Sequence, residues 1–325
     1  MANYLFRLFK HTESWLIVII LVISLFFSLT AHSFFTTQNF VDLLNNYAVQ
    51  IIFACGLFVV LVARGIDISF IAIALVSQYI LASFISHTGI GNWTIAIIIS
   101  LALGILLGAI NAFLIYYFKV ISIIITISTM NIFFGMLMFI SKGRSIYDLP
   151  DWWLDRVEVF SIGGASVTLP VVFMSVVIFA AWILTTKLRI GRQIYALGNN
   201  EDAARRQGLN IGLIYFVVYC WIGACAAIAG LVNVHLAQEF VPNALYGKEL
   251  DILAAVVLGG ASLQGGKGSV WGAVLGVLLI AIINNGLILM GVSNYAFKAI
   301  LGVIILVALI ATHIQLPKNI VRVES

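Results

Sequence analysis

The chain has 325 residues, of which 62% are hydrophobic and 9% are charged. An ordinary globular domain is roughly 45–50% apolar and about 25% charged, so composition excludes a water-soluble fold of this length. It also excludes an intrinsically disordered chain, and three cysteines are too few for a disulfide scaffold. The net charge of +4 comes from basic residues scattered between apolar stretches, which indicates flanking charges of membrane helices rather than a nucleic-acid surface.

Uncharged stretches long enough to cross a bilayer recur along the chain, since one crossing helix needs about 20 residues. They predict an all-α polytopic membrane protein of about ten segments, with residues 1–325 forming one transmembrane domain. The segments are approximately 14–35, 43–63, 68–86, 93–118, 120–141, 167–186, 211–233, 250–263, 269–290 and 295–313. The eighth is too short to cross as a straight helix, because 14 residues rise only about 21 Å, and we expect a half-helix or a re-entrant segment there.

The distribution of basic residues predicts the orientation. With the N-terminus in the cytoplasm, twelve Lys and Arg residues fall on the cytoplasmic side and five fall outside. Because positive residues favour the cytoplasmic side, we expect both termini in the cytoplasm. Two connections are long, an external one at 142–166 and a cytoplasmic one at 187–210.

The external connection contains two adjacent tryptophans. Trp152 and Trp153 predict a short helix that lies at the membrane face, with the two rings as interface anchors. Such a helix serves either as an anchor alone or as a docking surface for a partner outside the membrane.

The sequence contains no recognisable energy source. Its acidic residues and its five histidines fall at or near segment ends, whereas ion-coupled carriers bury titratable groups at mid-membrane. The glycine-rich run before Ser269 departs twice from a phosphate-binding loop, because Ala261 stands where glycine is required and Gly268 follows Lys267. The spacing indicates neither a metal site nor a catalytic set, so we expect no enzymatic activity and no cofactor bound by this chain.

The cytoplasmic connection contains a predicted short helix. Asn199 or Asn200 is a good N-cap, and the segment from Glu201 to Gln207 places acids first and arginines last, which matches the helix dipole. Gly208 is a typical residue just beyond a helix C-terminus. This helix is suited to act as a lever on a partner subunit, and a basic interfacial loop is the alternative.

Three motifs follow one another in a specific order. They are Gly65-Ile-Asp67-Ile-Ser69, the pattern G-R-x-I-Y-A-L-G-x-N-x-x-A-A-R-x-x-G-[LI] at 191–209, and the glycine-rich run 255–268 followed by Asn284-Asn285-Gly286-Leu287. Together they resemble the ribose-type permease subunits of bacterial ABC importers, over about residues 36–312. The 191–209 pattern favours sugar permeases over permeases for nucleosides or branched-chain amino acids, which remain alternatives. An autonomous secondary carrier or channel is a further alternative.

The resemblance implies import of a monosaccharide or sugar-like solute across the bacterial inner membrane. It implies a fold like that of the vitamin-B12 importer, in which spans two to five and seven to ten form an inverted repeat. It also implies three partners: a cytoplasmic ATP-binding subunit that holds ATP and Mg, a second permease subunit that is identical or different, and an extracytoplasmic sugar-binding protein. The implied ATPase-coupling residues are Gly191, Arg192, Asn199, Glu201, Ala204, Arg205 and Gly208.

Amides within or beside the segments are candidates for the substrate pathway, because a neutral sugar is recognised by amides, hydroxyls and aromatic faces. They are Asn45, Asn46, Gln50, Gln78, Asn131, Asn284 and Asn285. Each of them serves equally well as an interhelical hydrogen-bonding group. Asp67 and Ser69 are expected either to cap the third segment or to act as a gate.

Two pairs of glycines four residues apart predict close helix packing, chiefly inside one subunit. They are Gly104 with Gly108 and Gly272 with Gly276.

Overall fold

The computed structural model describes residues 12–293 except 90 and 156, together with 296, 298–300, 302, 303 and 306. Over 12–293 the chain forms twelve α-helices, one π-helical turn and one β-hairpin. The helices are α1 Thr12–Thr30, α2 Thr37–Val62, α3 Phe70–Thr88, α4 Trp93–Phe118, α5 Ser122–Ser141, α6 Asp151–Leu154, α7 Leu169–Trp182, α8 Arg189–Asn199, α9 Glu201–Arg206, α10 Ile211–Ala237, α11 Glu249–Leu258 and α12 Val270–Leu289. The hairpin strands are β1 Glu158–Ile162 and β2 Ala165–Thr168, and the π-helical turn Ile183–Lys187 extends α7.

Eight helices in the described part of the chain are long and apolar enough to cross a membrane. They are α1 to α5, α7 with its π-helical turn, α10 and α12. These eight coincide with predicted segments, so the prediction of a polytopic membrane protein is confirmed for them. The predicted tenth segment, 295–313, and both termini lie mostly outside the described residues.

Helices α2 and α10 form the centre of the bundle and run antiparallel. Tyr219 of α10 lies beside Gly65, just after α2 ends, and Cys225 lies beside Gly56 deeper in both helices. The Trp221 indole N–H donates to the Cys55 carbonyl, 3.2 Å away. Residues 51–62 of α2 and 225–232 of α10 are buried around the whole circumference of each helix. They form the centre of the main hydrophobic core.

Helix α11 is a short helix in a segment that passes from one end of the bundle to the other. Phe240, just after α10 ends, pairs with Ile146 in the connection that follows α5. After α11, the Gly266 N–H donates to the carbonyl of Val62, the last residue of α2, 2.9 Å away. Because these contacts lie at opposite ends of α10, the chain passes through the bundle between them with only ten helical residues. Helix α11 is thus too short to cross a bilayer by itself, in agreement with the predicted short segment, and the choice between a half-helix and a re-entrant segment stays a prediction.

Both predicted glycine pairs pack helices of the same subunit together. A Cβ added to Gly104 or Gly108 would overlap backbone carbonyl oxygens of α10, at Gly223 and Tyr219. A Cβ added to Gly276 would likewise overlap the Ala255 carbonyl of α11. Glycine is required at these positions because only hydrogen atoms fit between the two backbones.

The external connection differs from its prediction. Its helix α6 has only four residues, and an antiparallel hairpin follows it, so the all-α expectation is wrong at this point. The missed signal is the pair Gly163-Gly164 between two alternating stretches, because a hairpin turn of this kind needs positive φ at both central residues. Their φ angles are 56° and 85°.

Trp153 is buried in the protein and does not lie at the membrane face as expected. It is 1% exposed and stacks on Trp93, with ring centroids 5.0 Å apart. Its carbonyl oxygen lies 2.7 Å from Nδ1 of His235, near the end of α10. The second tryptophan, Trp152, contacts Gly91 and Trp93. The tryptophan pair therefore fixes the external connection to α4 and α10.

Helix α1 lies at the edge of the bundle and packs mainly on α12. Phe27 lies against Gly286, where a Cβ would overlap its ring. At the other end of α1, the Ser269 hydroxyl donates to the Glu13 carboxylate, 2.6 Å away. The same hydroxyl accepts the Gly272 N–H and so caps α12.

Replacing Gly108 with Leu is expected to lower the free energy of unfolding by roughly 1–3 kcal/mol or more, because α4 and α10 must separate to admit the side chain. The matched control is Gly135→Leu in α5, where an added Cβ meets nothing within 4 Å. Thermal unfolding of both variants in detergent measures the difference. Equal midpoints for the two variants would show that the α4–α10 contact is not as close as described.

Candidate functional site

The cytoplasmic connection contains a capped helix at its predicted place. The Asn200 side-chain oxygen accepts the Ala203 N–H, 2.9 Å away, and α9 follows as Glu201–Arg206. Gly208 adopts a φ of 79°, as a residue beyond a helix C-terminus does. The predicted helix is therefore confirmed, with Asn200 rather than Asn199 as its N-cap.

Helix α8 is amphipathic, and its buried face lies on the end of α2. Gly198 contacts the Val62 carbonyl and the Gly266 amide so closely that a Cβ would overlap both. The Tyr195 hydroxyl donates to the Gly268 carbonyl, 2.9 Å away. Burial and the nearby Glu13 carboxylate raise the pKa of this tyrosine. Helix α8 is thus joined to α2 and to the loop before α12.

Helix α9 is fixed to α10 through one carboxylate. Glu201 accepts hydrogen bonds from Arg205, 2.9 Å away, and from the hydroxyl of Tyr215 in α10, 3.3 Å away. Ala204 is 2% exposed and faces the bundle. Helix α9 is therefore in direct contact with α10 through Glu201.

The predicted coupling residues divide into two groups by exposure. Gly191 and Ala204 are buried and Glu201 is partly buried, so these three position α8 and α9 within the chain. The remaining four are exposed, and they are Arg192, Asn199, Arg205 and Gly208. Two further charged residues of α9, Asp202 and Arg206, are exposed as well and were missed. Their signal in the sequence is that they flank the small apolar residue Ala204 by two positions on each side.

Asp67 and Ser69 form a buried cap at the start of α3. One Asp67 oxygen accepts both the N–H and the hydroxyl of Ser69, each 2.7 Å away. The Asn111 amide of α4 donates to the same hydroxyl, also at 2.7 Å. Burial raises the pKa of the Asp67 carboxyl to about 6 although its bonds to Ser69 act in the opposite direction. This geometry supports the capping interpretation, and the gate interpretation stays a prediction.

The candidate pathway amides do not lie along one channel. Asn45 and Asn46 line an external cavity of about 320 Å³ beside the β-hairpin, where Asn45 accepts the Thr168 hydroxyl at 2.7 Å. Gln50 and Asn284 line a second cavity of about 200 Å³ between α2, α11 and α12.

The other three candidates lie elsewhere. Asn285 exchanges hydrogen bonds with Asn39 near the start of α2, at 2.9 and 3.0 Å. Gln78 is buried and accepts a long bond of 3.4 Å from Asn233. Asn131 is exposed on the outer face of α5 and bonds only a carbonyl of its own helix, among the bonds described.

Several residues of the two cavities were missed. Tyr47 accepts the Asn284 amide N–H at 2.6 Å, and Lys248 and Asp251 line the same cavity. Glu158 and His235 line the external cavity. The only sequence signal for Tyr47 is its spacing of three from Gln50, which places both on one side of α2.

The amino-acid sequence is similar to a known family of membrane permeases. Residues 39–309 match the family described as "Branched-chain amino acid transport system / permease component". The chain belongs to this permease family. No solved structure matches it.

Three characterised relatives extend over most of the chain. It is 35% identical over 275 residues to the ribose import permease protein RbsC of Escherichia coli K12, covering 83% of this chain and 85% of that protein. It is 32% identical over 275 residues to the D-allose transport system permease protein AlsC of the same strain, covering 85% and 83%. It is 31% identical over 282 residues to the autoinducer 2 import system permease protein LsrC of Photorhabdus luminescens, covering 83% and 80%.

Replacing Asp67 with Asn is expected to stabilise the protein more at pH 7 than at pH 5. In the unfolded chain this carboxyl has its ordinary pKa of 3.8, and in the folded chain its pKa is about 6. The folded state therefore binds more protons between these values, and the stability of the unsubstituted chain falls as pH rises through this window. The gain for Asp67→Asn should increase by roughly 1 kcal/mol between pH 5 and pH 7.

Thermal unfolding of Asp67→Asn and the unsubstituted chain at both pH values tests this expectation. The control is Asp202→Asn, which removes an exposed carboxylate of α9. A gain for Asp67→Asn that is the same at pH 5 and pH 7 would show that Asp67 is not titrating in its buried site.

Proposed function

We propose that this chain is the membrane-spanning permease subunit of an ATP-driven ABC importer for a monosaccharide or a sugar-like solute. The observation that carries the proposal is the capped helix α9, which is fixed to α10 on one side and exposes charged residues on the other. The ribose, allose and autoinducer 2 permeases support the substrate class. A permease for branched-chain amino acids is the second candidate, because the matching family is described by that substrate.

In this proposal the exposed face of α9 binds a cleft of a cytoplasmic ATPase subunit, which holds ATP and Mg. Closure of the ATPase moves α9 as a rigid element. Glu201 transmits the motion to α10, and Gly198 in α8 transmits it to the end of α2 and to the loop before α12. The transport subunit itself performs no chemistry.

The other partners follow from the same proposal. A second permease subunit, identical or different, covers the outer face of α5, where Ser128 and Asn131 are exposed among apolar residues. An extracytoplasmic sugar-binding protein docks on the β-hairpin side and delivers the solute. The ten-span arrangement of the vitamin-B12 importer, with both termini in the cytoplasm of a bacterial inner membrane, completes the proposal.

Replacing Arg206 with Glu is expected to reduce binding of the ATPase subunit several-fold, because it reverses a charge on the exposed face of α9 without removing a described contact. The measurement is purification of the tagged chain from its native host, with the co-purifying proteins identified by mass spectrometry. The unsubstituted chain should recover an ATPase and a sugar-binding protein. The control is Arg144→Glu, which reverses an exposed charge after α5, at the other end of the bundle.

Recovery of the unsubstituted chain without an ATPase, under conditions that preserve known transporter complexes, would overturn the importer assignment. Equal ATPase recovery with Arg206→Glu and with the unsubstituted chain would show that Arg206 does not contribute to ATPase binding.

Replacing Gly208 with Val is expected to lower solute uptake at least tenfold while ATP hydrolysis by the assembled importer continues. A β-branched residue resists the φ of 79° at this position, so the end of α9 would shift relative to α10. The control is Gly208→Asn, because Asn tolerates this conformation. Uptake and hydrolysis are measured together in vesicles, and normal uptake by Gly208→Val at normal expression would exclude a coupling role for this glycine.

A further inference from the structure

Two side chains that line the cavity between α2, α11 and α12 have an unsatisfied hydrogen-bond acceptor in the described part of the chain. The side-chain oxygens of Gln50 and Asn284 are fully buried and have no hydrogen-bond partner among the described residues. Both side chains line the cavity of about 200 Å³. A buried acceptor without a partner costs roughly 1–3 kcal/mol, so this arrangement favours an occupant that donates hydrogen bonds.

Donors are also available at this site. The Tyr47 hydroxyl accepts the Asn284 amide N–H, which leaves its own hydrogen free to bond an occupant. Lys248 and Asp251 line the exposed end of the cavity, and Lys298 is also close enough to act on the Asp251 carboxylate. The amide oxygens and the Tyr47 hydroxyl deeper in the cavity are uncharged, so a neutral molecule that both donates and accepts hydrogen bonds matches them.

The remaining wall is aliphatic. Ile252 of α11 and Val277 and Ile280 of α12 present carbon and hydrogen atoms to the cavity. Pockets for drug-sized ligands measure roughly 300–1,000 Å³, so this cavity suits a molecule smaller than a nucleoside. A compact ring with several hydroxyls and a C–H face fits both the volume and the wall.

We propose that this cavity is a binding station for one small neutral polyhydroxylated solute, whose hydroxyls donate to Gln50 and Asn284. This inference rests on the proposed importer function and specifies where in the subunit the solute class is selected. A branched-chain amino acid would pair its charges with Lys248 and Asp251, yet its aliphatic side chain would leave both amide oxygens unpaired. Sites that hydrogen-bond a substrate hydroxyl reject analogues without it strongly, so the cavity discriminates against such amino acids.

The test uses the importer assembled with its ATPase and binding protein in proteoliposomes. The probes are labelled D-ribose, D-allose, uridine and L-leucine. The variants are Gln50→Met and Asn284→Leu, which remove one acceptor each and nearly conserve side-chain volume; Asn284→Leu also removes the N–H that donates to Tyr47. The control is Ser100→Ala, which removes a buried unpartnered hydroxyl of α4 that lies outside the cavity.

We expect sugar uptake to fall at least tenfold in both cavity variants and to persist in the control. We also expect the thermal midpoint of Gln50→Met to stay the same or rise, because an unpaired acceptor has been removed. Unchanged uptake in both variants would overturn the proposal. A parallel loss of uptake and midpoint would do so as well, since it indicates a structural role. Uptake of L-leucine in place of the sugars by the unsubstituted importer would overturn the solute class.

A second measurement separates this inference from the importer proposal. The purified chain is heated in detergent with and without D-ribose or D-allose, because a ligand that binds the folded state raises the midpoint. A rise that Gln50→Met abolishes and Ser100→Ala retains supports the cavity even if no ATPase co-purifies. A rise of equal size in all three proteins, or no rise in any, overturns it.

Discussion

Contact between helix backbones at glycine holds this protein together. Within lipid there is no hydrophobic force to drive one apolar helix against another, so close packing supplies the association. Glycines allow α4 to contact α10, α11 to contact α12, and α8 to contact the end of α2. Helix α8 of the cytoplasmic connection meets the bundle in the same way, through Gly198, with no side chain between the two backbones.

The elements whose cause is local could be predicted from the sequence. Eight crossing helices follow from length and apolarity, and α9 follows from the cap at Asn200 and the glycine at 208. The elements that depend on tertiary contacts could not. The β-hairpin was missed because the external connection was interpreted from its two tryptophans as a helix at the membrane face. Trp153 is instead buried, because Trp93 and His235, which are distant in sequence, lie beside it.

The candidate site shows the same division. Seven amides in apolar segments were chosen by polarity alone, and polarity does not say which face of a helix a residue occupies. The structure separates them into an external cavity, an inner cavity and three unrelated contacts. Tyr47 was missed because an aromatic residue in an apolar helix is typical of a core. The glycine-rich run before Ser269 lies against the cytoplasmic connection, where Gly266 contacts Gly198 and Asn199.

The position of α1 has a consequence for how the chain is made. Its ring contact at Gly286 and its hydrogen bond from Ser269 join residues more than 250 positions apart in sequence. A chain that emerges from the ribosome N-terminus first therefore inserts α1 long before its main packing partner exists. Until α12 has been synthesised, the first helix lacks its contacts at Gly286 and Ser269. The hydrogen bond between Ser269 and Glu13 therefore forms late in biogenesis, at the same end of the molecule where Tyr195 of α8 binds the loop before α12.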